Sequence, residues 1–180
     1  MRALALGLIF VMAAVAGGTG ETREEGKADG RMSVNGKVVK FSHAYARSEP
    51  PTSNAFLLIL TDMPISDADV AGFPDSVLDT VKSAKLNALS VMIGLDEKGR
   101  PDFGDTQVYD SAFKLGCCWP SMKGKDKIEL KTLDENHIAG RGRMEKPFTF
   151  GESGDVFDYN VTFSAPIRTW AEMQAARGYQ

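Results

Sequence analysis

Residues 32–47, MSVNGKVVKFSHAYAR, decide the fold of this chain. The pair Asn35-Gly36 separates two extended runs, and it favours a β-hairpin because both residues tolerate positive φ. The runs on either side alternate bulky and small or polar residues with a period of two, which is typical of strands with one buried face. The stretch therefore predicts two antiparallel strands joined by a tight turn.

Simple alternation along the second arm of this hairpin gives the candidate ligand-binding residues. Phe41, His43 and Tyr45 fall on the same face of the strand, opposite small and polar residues. An imidazole next to a phenol on a bulky face is suited to the mouth of a cavity. The alternative for His43 is a polar residue at a strand edge that hydrogen-bonds to the backbone.

The same period-two pattern recurs along the rest of the chain. Residues 55–60, AFLLIL, are apolar on both faces and predict a strand covered on each side. Two further hairpins are predicted over 89–109 and 127–144, and residues 157–164 alternate most strictly. The pattern changes to helical spacing between 64 and 87 and again over 169–177, where Thr169 is the expected N-cap.

These elements predict a mainly β fold. We expect an antiparallel barrel-like or sandwich domain of seven or eight strands, with one short internal helix and a C-terminal helix. The short hairpins favour the barrel-like form, because a sandwich needs longer crossovers. We expect one domain over residues 31–180.

The N-terminus predicts export. Arg2 precedes a 14-residue apolar run, residues 3–16, which is shorter than the roughly 20 residues of a membrane-spanning helix. Ala14-Val15-Ala16 has the small-x-small form of a cleavage site, so residues 1–16 are interpreted as a signal peptide. An uncleaved anchor is the alternative. Residues 17–30 contain no large apolar residue and are interpreted as a flexible tether.

Composition limits the partners. The chain has 21 Lys and Arg against 24 Asp and Glu, a net charge of −3, and no basic run. This excludes the electrostatic footprint of a nucleic-acid-binding protein. The expected partner is a small molecule or an envelope protein, and no transmembrane segment is expected in the mature chain.

Cys117 and Cys118 are the only cysteines and are adjacent. Three interpretations remain open: a vicinal disulfide in an oxidising compartment, a redox or soft-metal site, and two reduced thiols on opposite faces of a strand. No Cys-x-x-Cys pattern accompanies them, so the redox interpretation has the least support.

The other polar residues have simpler interpretations. His137 follows a turn containing Asp134 and is interpreted as an exposed turn residue. Arg141 and Arg143 share a strand face with Lys146 nearby, which suits an anion, although a charged outward face is the simpler interpretation. No metal or cofactor motif occurs, so neither a metal nor a cofactor is expected.

Four short motifs, residues 34–37 (VNGK), 43–46 (HAYA), 60–62 (LTD) and 163–166 (FSAP), resemble a group of small exported bacterial proteins of uncharacterised function. The likeness implies a bacterial envelope setting, periplasmic or secreted. It implies no activity and no role for any residue.

Two functions follow as hypotheses. The first is a non-enzymatic exported β domain that binds a small molecule or a protein partner in the bacterial envelope. The second is a periplasmic hydrolase that uses His43 with a nearby carboxylate, such as Asp62, or a hydroxyl group, because such catalysis draws on imidazole first.

Overall fold

The computed structural model describes residues 25–113, 124–151 and 153–178. The predicted signal peptide (1–16), most of the predicted tether and the pair Cys117-Cys118 lie outside these residues. The hairpin-rich expectation is confirmed: the fold is mainly β, with eight antiparallel strands forming a half-barrel sheet and a ninth short strand beside it.

The structure has nine strands in the described residues. They are β1 (Lys27–Val34), β2 (Lys37–Ser48), β3 (Ala55–Thr61), β4 (Ala88–Leu95), β5 (Pro101–Tyr109), β6 (Asp126–Leu133), β7 (His137–Met144), β8 (Phe148–Thr149) and β9 (Val156–Arg168). Their order across the sheet is β5-β4-β3-β2-β1-β9-β7-β6, with β8 beside β9. The three predicted hairpins are confirmed, and the long strand β9 joins the first hairpin to the last.

The inner side of the half-barrel is filled with apolar side chains. The largest include Met32, Leu58, Phe157 and Tyr159, each at most 1% exposed. The two edge strands of the sheet, β5 and β6, approach each other at the open side of the half-barrel. There the hydroxyl of Thr106 on β5 donates to a carboxylate oxygen of Asp126 on β6 at 2.6 Å. The interior is therefore a packed core.

Helices cover one part of the outer side. They are α1 (Asp67–Gly72), a 3₁₀ turn (Asp75–Val77), α2 (Leu78–Lys82) and α3 (Trp170–Ala176). One short internal helix was expected, and the segment between β3 and β4 holds two. The C-terminal helix is confirmed, and Thr169 caps it reciprocally with Glu172.

The helices form a second apolar cluster with β3 and β4. Ile59 and Val70 are fully buried there, and Met173 of α3 is 2% exposed. Because Leu58 faces the inner core and Ile59 the outer cluster, β3 is buried on both sides, as its sequence predicted.

Arg47 fixes α1 on the sheet. Its guanidinium donates to the backbone oxygens of Val70 and Ala71 at the end of α1, and its Nε donates to Glu49 at 3.0 Å. These carbonyls have no partner within the helix, so a buried cation satisfies them. Burial lowers the pKa of Arg47, while Glu49 opposes that shift.

The predicted tether extends too far. Strand β1 begins at Lys27, so residues 27–30 pair with β9 and belong to the sheet. Composition alone predicted disorder here because the stretch lacks large apolar residues. The strand instead forms through backbone contact: Gly30 has φ of +153°, and a Cβ atom there would lie 2.3 Å from the oxygen of Asn160.

Candidate functional site

An outer trough of about 980 Å³ crosses the part of the sheet that the helices leave uncovered. It runs over β6, β7, β9, β1 and the middle of β2. Its polar lining residues are Lys27, Asp29, Ser42, Glu129, Lys131, Arg141, Thr162 and Ser164. Small residues, among them Ala139 and Gly140, leave the space between these side chains open.

The trough follows from the alternation of the strands. In β1, β7 and β9 every second residue enters the inner core, so the remaining residues face outward on adjacent strands. Thr162 of β9 lies between Asp29 of β1 and Arg141 of β7, and Arg141 is opposite Glu129 of β6. This row places a cation, two carboxylates and a hydroxyl group side by side.

Hydrogen bonds hold part of this row in place. The hydroxyl of Thr162 donates to the backbone oxygen of Asp29 at 3.1 Å, and Nε of Arg141 donates to the side chain of Asn160 at 3.1 Å. The two terminal nitrogens of Arg141 have no protein partner among the described residues. They are therefore available to an anionic ligand.

Ser164, which lines the trough, is paired with a histidine that lies outside its lining. Nε2 of His137 lies 2.9 Å from Oγ of Ser164. The turn before β7 positions His137, because the carboxylate of Asp134 accepts from the backbone nitrogens of Asn136 and His137 at 2.8 Å each. His137 is thus half-buried and paired, where the sequence predicted only an exposed turn residue.

The sequence contained part of the signal for this pair. Strict alternation in β9 places Ser164 on the outer face, and His137 begins the next hairpin arm. Alternation does not predict that β7 pairs with β9. This pairing brings together two residues that are 27 positions apart.

The three predicted ligand residues do not line one cavity. Phe41 is 3% exposed in the inner core, whereas Tyr45 packs against the outer cluster under the helices. His43 lies against Tyr45, with ring centroids 6.4 Å apart and planes 20° apart. The expectation that Phe41 shares a face with His43 and Tyr45 is wrong.

A bulge causes this error. The pairing of β1 with β2 slips by one residue between the pairs Gly30–Phe41 and Lys27–His43. Beyond the slip the alternation of β2 is reversed, so Ala44 enters the inner core. His43 faces outward and is paired in register with Lys27, which borders the trough.

Tyr45 has a structural partner. Its hydroxyl oxygen accepts from the backbone nitrogen of Ile65 at 3.0 Å, which fixes the connection from β3 to α1. Burial raises the pKa of Tyr45, and the bond to Ile65 opposes that rise. The phenol therefore stays neutral at physiological pH.

The predicted hydrolase pair is not assembled. The carboxylate of Asp62 accepts from the backbone and side-chain nitrogens of Asn87 at 2.8 and 2.5 Å. Among the described residues, no carboxylate or hydroxyl group forms a hydrogen bond with the His43 ring. Asp62 instead joins the ends of β3 and β4.

The inner core has a polar network of its own. The hydroxyl groups of Tyr159 and Thr106 donate to one carboxylate oxygen of Asp126 at 2.5 and 2.6 Å. Burial, the charge of Asp126 and this hydrogen bond raise the pKa of Tyr159 far above its usual value. The network links β9 to both edge strands, and Thr106 and Asp126 also line a depression of about 290 Å³.

The described residues contain no group of three or more His, Cys, Asp or Glu that is arranged to hold a metal ion. Within the same residues, no helix has the length and apolar character needed to cross a membrane.

No protein-family model, curated protein or solved structure matches this chain. The outer trough is at least three times as large as each of three other depressions on the described residues, which measure 230 to 320 Å³.

Proposed function

We propose that this protein is an exported, non-enzymatic binding domain of the bacterial envelope and that the outer trough holds its ligand. The observation that carries the proposal is a trough of about 980 Å³ with hydroxyl groups and charges on an uncovered sheet face. This volume is typical of small-molecule sites.

The lining favours a small molecule that has several hydroxyl groups and one anionic group, such as an acidic sugar. Lys27, Lys131 and Arg141 supply cations, and the free fork of Arg141 suits a carboxylate or phosphate. Hydroxyl groups of Ser42 and Ser164 are partners for the hydroxyl groups of a sugar.

Titration calorimetry tests this proposal with three probes: glucuronic acid, glucose 6-phosphate and neutral glucose. We expect the two anionic sugars to bind and glucose to bind more weakly. Lys131→Met is expected to weaken binding by roughly 10- to 150-fold, because a hydrogen bond to a charged group contributes about 1.5–3 kcal/mol. Lys85→Met is the matched control, since Lys85 is also exposed and lies after α2, away from the trough.

The proposal fails if none of the three sugars binds, or if Lys131→Met and Lys85→Met have the same effect. A stable complex with an envelope protein, lost on Arg141→Glu, would instead identify the trough as a protein-binding surface.

Export is part of the proposal and has a separate test. It rests on the apolar run and small-x-small site of residues 1–16. Fractionation of cells that express the full chain is expected to recover a shortened protein outside the cytoplasm. Recovery of the intact precursor in the cytosol would contradict export without affecting ligand binding.

The pair His137–Ser164 supports one second candidate, a serine hydrolase. In that reaction His137 removes the Ser164 proton and Ser164 attacks the substrate carbonyl. The bond from the carbonyl carbon to the leaving group then breaks, the leaving group takes the proton from His137, and water later hydrolyses the acyl ester. No carboxylate of the described residues orients His137 through its side chain, which weakens this candidate. Labelling by a fluorophosphonate probe that is lost in Ser164→Ala and kept in Ser42→Ala would favour it.

A further inference from the structure

We propose that the end of the uncovered face beside the trough is a docking surface for an anionic lipid bilayer. Its first component is a basic row across five strands, Lys127, Arg143, Asn160, Arg31 and Lys40, each paired in register with the next. Strands lie about 4.8 Å apart, so the row spans roughly 19 Å. None of these five residues lines the trough, so the inference is independent of the trough ligand.

At the β1–β2 end of this row the cations form no salt bridge within the described residues. Arg31 lies directly opposite Lys40, an arrangement of like charges that destabilises an antiparallel pair. Among the described residues, neither side chain is within salt-bridge distance of a carboxylate. At the other end Lys127 pairs with Glu145, and Arg143 pairs with Glu129 at 3.3 Å. The unpaired cations therefore concentrate at Arg31 and Lys40.

The whole uncovered face shares this charge. Its outward positions on β1, β2, β6, β7 and β9 hold Lys27, Arg31, Lys40, Lys127, Lys131, Arg141 and Arg143, against Asp29, Glu129 and Asp158. The complete chain has a net charge of −3, so its positive charge is segregated to one side. Such a face orients the protein toward an anionic surface.

Exposed apolar residues adjoin the basic row and form the second component. Val38 is 54% exposed and Val156 is 41% exposed, and they are two of the three large exposed hydrophobic residues in the described part of the chain. Both line a depression of about 320 Å³ that also contains Pro147, Arg31 and Asp158. The cation of Arg31 and the two exposed valines thus border the same depression.

This combination favours a lipid surface over a soluble polyanion. A polyanion interacts with the cations alone, whereas a bilayer offers anionic headgroups to Arg31 and Lys40 and an apolar interior to Val38. The valines lie beside the tight β1–β2 turn, where Gly36 leaves open space and lets the turn approach the bilayer closely. No helix is needed for this mode of binding.

Vesicle sedimentation tests the inference with the purified protein. We expect binding to vesicles of equal parts phosphatidylglycerol and phosphatidylcholine, little binding to phosphatidylcholine alone, and weakening as salt is raised. The double variant Arg31→Gln, Lys40→Gln is expected to weaken binding about 25-fold, since each basic residue at an anionic surface contributes roughly fivefold. The control Lys82→Gln, Lys85→Gln removes two exposed lysines near the helices and is expected to bind like the parent.

Substitutions at Val38 separate a bilayer from a soluble polyanion. Val38→Ser is expected to weaken vesicle binding and to leave binding to inorganic polyphosphate unchanged. Val38→Trp is expected to show a blue shift of tryptophan emission with anionic vesicles. The inference is overturned if phosphatidylcholine binds equally well, if both double variants bind alike, or if Val38→Ser has no effect on vesicles. Circular dichroism of each variant verifies that the fold is retained.

Discussion

The outer face of one continuous sheet has two different halves. Over β3 and β4 it is apolar and covered by helices, with Ile59 fully buried. Over β1, β7 and β9 it is polar and open, with Arg141 and Thr162 exposed. The inner face is mainly apolar in both halves, apart from polar groups such as the network of Thr106, Asp126 and Tyr159, so the halves differ mainly in alternate residues of each strand. Those outward residues determine whether the chain covers a strand or presents it to a partner.

The largest expected difference between the halves is in how much stability is lost when an outward side chain is shortened. Ile59→Ala leaves a cavity in the covered half and is expected to lower the free energy of unfolding by about 2–5 kcal/mol. Thr162→Ala, on the open half, is expected to change it by less than about 0.5 kcal/mol. Urea unfolding measures both. Equal losses would show that the two halves are covered alike.

Arg47 provides the next comparison. Arg47→Met removes the hydrogen bonds to the end of α1 and leaves Glu49 without its partner. We therefore expect the free energy of unfolding to fall by about 3 kcal/mol. Arg141→Met removes an exposed arginine from the open half and is expected to cost under about 0.5 kcal/mol. If Arg47→Met unfolds in urea like the parent, the buried guanidinium does not hold the helices on the sheet.

Much of this architecture was predictable from the sequence. The Asn35-Gly36 turn, the doubly apolar run of β3 and the strict alternation of β9 gave the hairpins, the buried strand and the mainly β class. Each depends on local chemistry, namely turn residues that tolerate positive φ and side chains that alternate in direction. Thr169 similarly predicted the start of the last helix.

The candidate site was less predictable because it depends on strand pairing and on one bulge. The pairing of β7 with β9 brings His137 to Ser164, and local alternation contains no information about which strands become neighbours. The slip near His43 reverses the face of Tyr45, so a residue predicted to line a ligand cavity anchors Ile65 instead. The outer trough lies where those nonlocal pairings bring β6, β7, β9 and β1 together.

In the open half, a new side chain is expected to cost more stability where two strand backbones lie close together than at an open turn. Gly30→Ala is expected to lower the free energy of unfolding by about 2 kcal/mol, because φ is positive there and the new Cβ atom meets the oxygen of Asn160. Gly151→Ala is the control, since nothing lies within 4 Å of its Cβ position. Thermal unfolding of the two variants checks this. Similar melting temperatures would mean that β1 and β9 do not approach so closely.

The smallest expected effect is in the inner core that both halves share. Tyr159→Phe removes the bond to Asp126 and is expected to cost about 1 kcal/mol at neutral pH. The pKa of Tyr159 is raised in the folded protein, so above about pH 10 only the unfolded chain ionises this residue. Stability is then lost as pH rises, by roughly 1.4 kcal/mol per pH unit for one tyrosine.

The pH dependence of Tyr159→Phe isolates this contribution. Urea unfolding between about pH 9 and pH 11 is expected to show a shallower loss of stability in the variant than in the parent. Identical slopes would mean that Tyr159 ionises equally in the folded and unfolded states. Such a result would place it outside the packed core.

Methyl NMR with a soluble paramagnetic agent tests the division of the outer face most directly. Val38 and Val156 face outward on the open half, and Ile59 faces outward beneath the helices. We expect the agent to broaden the methyl signals of both valines strongly and to leave those of Ile59 sharp. Comparable broadening at Ile59, or protection of the two valines, would contradict the account.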